Sequence, residues 1–126
     1  MLNIDKYLSV TWQMGGRAYP ILDCYGLVHE VRLDMGLPSW DLFEGVIKEG
    51  DEMDRVCKDF IINITPCDPS PGAVAACYTG QMINHLGVVV SIDGIQHVME
   101  SNPGKYVSVL PLHRFSRRYI RVEYYK

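Results

Sequence analysis

The chain has 126 residues, 48% of them hydrophobic and 21% charged, with a formal net charge of -3. That length predicts a single domain over residues 1–126 that can bury a core without disulfides or a structural metal. The charge balance excludes a global pull toward nucleic acid or an anionic membrane, and the apolar content excludes a disordered chain.

In chain order, residues 3–12 predict a short helix with Asn3 as N-cap and Ile4, Tyr7 and Leu8 on one face, stopped by Gly15-Gly16. A stronger helix begins after Asp23, a good N-cap. Cys24, Leu27, Val28, Val31 and Met35 form its apolar stripe, and Gly36 and Pro38 end it. Residues 39–60 are acidic (Asp41, Glu44, Glu49, Asp51, Glu52, Asp54) and broken at Gly50-Asp51. They predict two short helices, around 42–47 and 53–60. From there the texture changes to apolar runs separated by turn residues, predicting strands at 61–64, 74–78, 85–92, 95–100, 106–110 and 119–124. Helices first and strands afterwards make an α+β chain, with a C-terminal antiparallel sheet of five to six strands.

The N-terminus lacks a basic stretch followed by an apolar one, and the longest aliphatic run, 86–90, is far too short to cross a bilayer. The expectation is cytoplasmic synthesis, with any exit by a route other than the chain's own signal. Cys24, Cys57, Cys67 and Cys77 contain no C-x-x-C pair, and the last three are spaced by ten, which fits no common zinc pattern. No metal or cofactor is expected. His29 and His113 read as solvated, and the basic C-terminal residues Arg114, Arg117, Arg118, Arg121 and Lys126 as a solvated face or a protein-docking surface rather than a nucleic-acid site.

One constellation carries chemistry. Cys24 opens a helix, where the positive end of the helix dipole favours a thiolate, although a free cysteine there is also a small core hydrophobe. A nucleophilic thiol needs an imidazole to take its proton, and the imidazole needs a polar partner to orient it. His85 and His97 lie on neighbouring predicted strands, twelve residues apart. Their faces depend on the hairpin between them. A three-residue loop Ile92-Asp93-Gly94 would align them, whereas a two-residue Asp93-Gly94 turn without a bulge would put them on opposite faces.

Asp23-Cys24-Tyr25-Gly26-Leu27-Val28, then His85-Leu86-Gly87-Val88-Val89-Val90, then His97, resembles the NlpC-type cell-wall peptidases, a papain-like cysteine peptidase family. Gly15-Gly16 and Pro71-Gly72 also match, so the resemblance covers residues 12–112. It implies a papain-like fold with Cys24 as nucleophile, His85 as general base and acid, and His97 orienting His85. It implies an oxyanion site at the helix start beside Asp23, and hydrolysis of peptidoglycan stem peptides at D-glutamyl–diamino acid bonds. Trp12 stands at a position where the family often has tyrosine, leaving Tyr19 or Tyr25 to take that part. Tyr25 and the stretch Leu37-Pro38-Ser39-Trp40 are similar to the phage tail-assembly branch, which implies other tail proteins as partners and a place in the virion tail. The rival readings are a non-catalytic tail component that keeps the fold for docking, and a related acyltransferase or amidase.

Overall fold

The computed structural model describes residues 2–47 and 50–126; Glu49 of the acidic group lies outside the described residues. Two early strands, β1 (Arg17–Ala18) and β2 (Ile21–Leu22), form a small hairpin that hands the chain to helix α1 (Cys24–Asp34). Helix α2 (Glu52–Ile61) follows, and then β3 (Val74–Thr79), β4 (Met82–Ile92), β5 (Ile95–Glu100) and β6 (Ser108–Pro111). A five-residue helix α3 (Leu112–Ser116) leads into β7 (Arg121–Tyr125). Strands β3 to β7 make one antiparallel sheet in the order β6-β5-β4-β3-β7. The result is an α+β domain: α1 and α2 precede the five-stranded antiparallel sheet, as the sequence order predicts, and α3 lies between its strands β6 and β7.

The sheet separates two apolar layers, and alternation along each strand decides which side chain enters which. On one face Ala76, Leu86, Val88, Val90 and Met99 pack with Cys24, Leu27, Val28 and Val31 of α1 and Met53 of α2. On the other, Ala75, Cys77, Val89 and Val98 pack against Phe115 of α3. Gly87 keeps β4 and β5 close on this second face, because a methyl group there would lie 2.7 Å from the Val98 side chain.

Three local expectations are corrected. Residues 3–12 supply only a 3-10 turn, Ile4–Tyr7. Residues 42–47 are not helical: Phe43 and Gly45 have φ of 50° and 85°, and the carbonyls of Leu42, Phe43 and Val46 are spent on the Arg17 guanidinium. Residues 61–64 are not a strand; α2 runs on to Ile61, and Asn63 and Ile64 donate back to Phe60 and Ile61 in closing turns. Among the described residues no helix is long and apolar enough to cross a membrane.

Candidate functional site

Asp23 caps α1 through its side chain: Oδ1 accepts from the Gly26 N–H at 2.8 Å, and the other carboxylate oxygen holds Arg17 in a buried ion pair. The thiol of Cys24 is therefore the first side chain of a helix whose start is fixed from both sides. Arg17 also donates to the carbonyls of Leu42 (2.8 Å) and Val46 (2.6 Å), which draws the segment after α1 over that helix start. Tyr25 adds a second tie, its hydroxyl donating to the Asp41 carbonyl and its ring packing edge-on against Phe43. Burial pushes the Tyr25 hydroxyl well above its ordinary value, so it serves here as a proton-bearing donor.

Below this cover lies an almost wholly apolar cavity of about 60 Å³, touched by Trp12, Cys24, Tyr25, Cys57, Ala76 and Leu86. Cys24 is 3% exposed, so the thiol faces this cavity rather than bulk water. Cys57 reaches it from α2, but burial pushes its thiol up to about 12, which makes it an apolar lining group at neutral pH. Trp12 borders both this cavity and an outer groove formed with Thr11, Lys105 and Tyr106, and its buried indole N–H has no hydrogen-bond partner among the described residues. Of the predicted oxyanion and substrate-binding residues, Asp23, Trp12 and Tyr25 thus gather around Cys24. Tyr19 does not: it is 41% exposed, donates to the Lys6 carbonyl, and packs against Tyr7.

The histidines are arranged differently from the expectation. The β4–β5 hairpin closes with the two-residue turn, Ile92 opposite Ile95, with φ of 53° at Asp93 and 78° at Gly94. Both central residues are left-handed, as an Asp-Gly hairpin turn of the primed type requires. His97 accordingly lies opposite Val90 on the α1 face, its Nδ1 2.9 Å from the Ile95 carbonyl. His85 lies opposite Cys77 on the α3 face. His97 therefore does not orient His85, and the sheet stands between His85 and Cys24. His29 is also corrected: it is buried, with Nε2 3.0 Å from the Trp40 carbonyl.

The partner that orients His85 is Glu100, which the sequence reading missed. His85 Nε2 lies 2.9 Å from Glu100 Oε1, and the imidazole stacks on Tyr119 with ring centroids 5.5 Å apart. Tyr119 (2.6 Å) and Asn102 (2.8 Å) donate to the same oxygen, while Arg118 donates to Oε2 at 2.9 Å. Burial works to raise the Glu100 carboxyl, but the hydrogen bonds from His85, Tyr119 and Asn102 outweigh it and bring the group down to about 2. The ionised carboxylate only accepts, so the Nε2 of His85 carries a proton. The signal was present in the sequence: with a two-residue Asp93-Gly94 turn, Glu100 falls opposite Gly87, on the His85 face.

Fold and site together define an α+β domain with a capped cysteine at a helix start over an apolar cavity, and a buried histidine–carboxylate pair on the reverse of its sheet. Compared with known proteins, the chain matches no family model and no curated protein. Among the described residues no group of three or more His, Cys, Asp or Glu side chains is placed to hold a metal.

Proposed function

We propose that the chain is a papain-like cysteine peptidase of the NlpC type, hydrolysing amide bonds of peptidoglycan stem peptides as part of a phage or prophage tail, with Cys24 as its nucleophile. The observation that carries this reading is the placement of Cys24: it alone of the four cysteines begins a helix, and it does so on an aromatic-walled cavity. The thiolate would attack the peptide carbonyl carbon, forming a C–S bond. The C–N bond breaks as the leaving amine takes a proton, and water then hydrolyses the thioester, returning the thiol and a carboxylate. Backbone N–H groups at the start of α1 are suited to the oxyanion.

A second reading is favoured by a specific observation, the separation of Cys24 and His85 by the sheet. On that reading the domain is a docking component of a tail and breaks no bond. Incubation with purified stem peptides, followed by mass spectrometry for new amine, decides between them. The peptidase reading expects product from the wild type, a loss of about 10³-fold or more in Cys24→Ala, and little change in Cys57→Ala. No product from the wild type across several wall chemistries would support docking instead.

A further inference from the structure

The groove outside Trp12 is hung on the chain that leads into α1. The Leu22 N–H donates to the Thr11 carbonyl at 3.0 Å, and the Leu22 carbonyl accepts from Ser101 Oγ, also at 3.0 Å. The first bond fixes the wall that carries Thr11 and Trp12. The second fixes the base of the β5–β6 loop, which carries Lys105 and Tyr106. Both walls are thus anchored two residues before Cys24. The loop is tied at its ends, by buried Ser101 and Val107 and by the bond from Asn102 to Glu100, while its tip stands out. Gly104, with φ of 71°, makes the left-handed turn that presents the next two side chains to solvent, and Tyr106 is 68% exposed. That ring has no part in the core, and loops held by a rigid scaffold are where binding groups concentrate.

We propose that this groove is a subsite for the terminal carboxylate of a short peptide, received by the Lys105 ammonium beside the rings of Trp12 and Tyr106. The polar side-chain groups of Thr11, Lys105 and Tyr106 can all donate a hydrogen bond, and among the described residues that line the groove none is acidic. The carboxylates on the elements that anchor it are committed elsewhere: Asp23 to Arg17 and the Gly26 N–H, Glu100 to its four donors. A matching ligand therefore brings an acceptor-only group, and the aromatic walls call for an apolar part next to it. A terminal amino acid with a small aliphatic side chain supplies both, whereas inorganic phosphate lacks the apolar part and a neutral sugar lacks the charge. The groove holds about 280 Å³, at the small end of the roughly 300–1,000 Å³ range of ligand pockets, which suits the end of a chain. An exposed ion pair is weak, but a carboxylate partly desolvated against aromatic walls gains more from the same ammonium. Trp12 borders this groove and the Cys24 cavity alike, so a chain end seated here leads toward the thiol.

The subsite rests on the peptidase reading for its purpose, since it names the part of a stem peptide that is recognised, but its test is one of binding. Cys24→Ala protein is titrated calorimetrically with a stem tetrapeptide ending in a free D-alanine carboxylate and with the same peptide as its C-terminal amide. The acid is expected to bind about 10-fold more tightly than the amide, the scale of one charge-assisted hydrogen bond. Lys105→Met in the same background should abolish that preference, and Lys105→Arg should keep most of it. Tyr106→Ala should weaken the acid several-fold, and in ¹⁵N-labelled protein the Trp12 indole signal should shift as the acid binds. Both loop positions are exposed, so these variants are expected to fold as the parent does. Equal binding of acid and amide would overturn the subsite, as would a preference that survives Lys105→Met. Tighter binding of inorganic phosphate or of a neutral N-acetylglucosamine oligosaccharide than of the peptide acid would overturn it too. A preference for the acid with no cleavage by the wild type would leave the subsite standing and remove the peptidase reading. Cleavage of stem peptides with no such preference would do the reverse.

Discussion

Glu100→Ala is expected to destabilise the domain by about 3–5 kcal/mol, the range for breaking a buried charged pair by removing one partner. The side chain is fully buried and receives four donors, from His85, Asn102, Arg118 and Tyr119. Alanine removes every acceptor at once. Arg118 is 40% exposed and rehydrates, but the His85 ring is 3% exposed and has no such recourse to water. Glu100→Gln keeps one acceptor and should cost markedly less. Urea unfolding with a common m-value measures both, and an alanine variant within about 1 kcal/mol of wild type would contradict the assignment. The same carboxylate sets an acid limit. It ionises at about 2 in the folded chain against an ordinary 4.5, so its stabilisation is complete above about 4.5 and is lost as pH falls from there toward 2. Glu100→Gln should flatten that part of the stability–pH curve.

How legible the fold was depends on the kind of signal each element carries. The stripe Cys24, Leu27, Val28, Val31 and the Asp23 cap are local, and α1 forms where they place it. The strand Ile95–Glu100 and its Asp-Gly turn are equally local. The segment 42–47 failed because its alternative is tertiary: Arg17, some 25 residues earlier, takes the carbonyls that a helix would have used internally. The strands at Arg17–Ala18 and Ile21–Leu22 went unread because two residues are too few to show alternation. At the site, the turn type was the deciding question and the sequence allowed both answers, since Asp-Gly closes a two-residue hairpin and also supplies the left-handed glycine of a longer one. The bulge at Asn84, where Tyr78 pairs with Ile83 but Cys77 with His85, left no compositional mark. It arises from the mismatch between two strand registers, a property of a pair of strands and not of either alone.

Gly26→Ala tests whether the start of α1 is as tightly determined as its contacts indicate. By helix propensity alone the change should stabilise, by about 1 kcal/mol for glycine to alanine inside a helix. Packing argues the other way. A methyl group at Gly26 would be driven into the Gly16 carbonyl oxygen and lie 3.2 Å from the Leu22 side chain. That carbonyl cannot swing aside cheaply, since it accepts from the Asp23 backbone N–H at 3.0 Å. The helix must move off the hairpin instead, and the expected net result is a loss of about 2 kcal/mol, the usual scale of overpacking against fixed neighbours. The movement also loosens the cap that Asp23 forms with the Gly26 N–H and uncovers the thiol two residues earlier. In a protein with Cys57, Cys67 and Cys77 changed to serine, Gly26→Ala should therefore speed iodoacetamide labelling of Cys24 while lowering the urea midpoint. A variant that proved more stable, with unchanged labelling, would show that Gly16 and α1 are not in the close contact that positions Cys24.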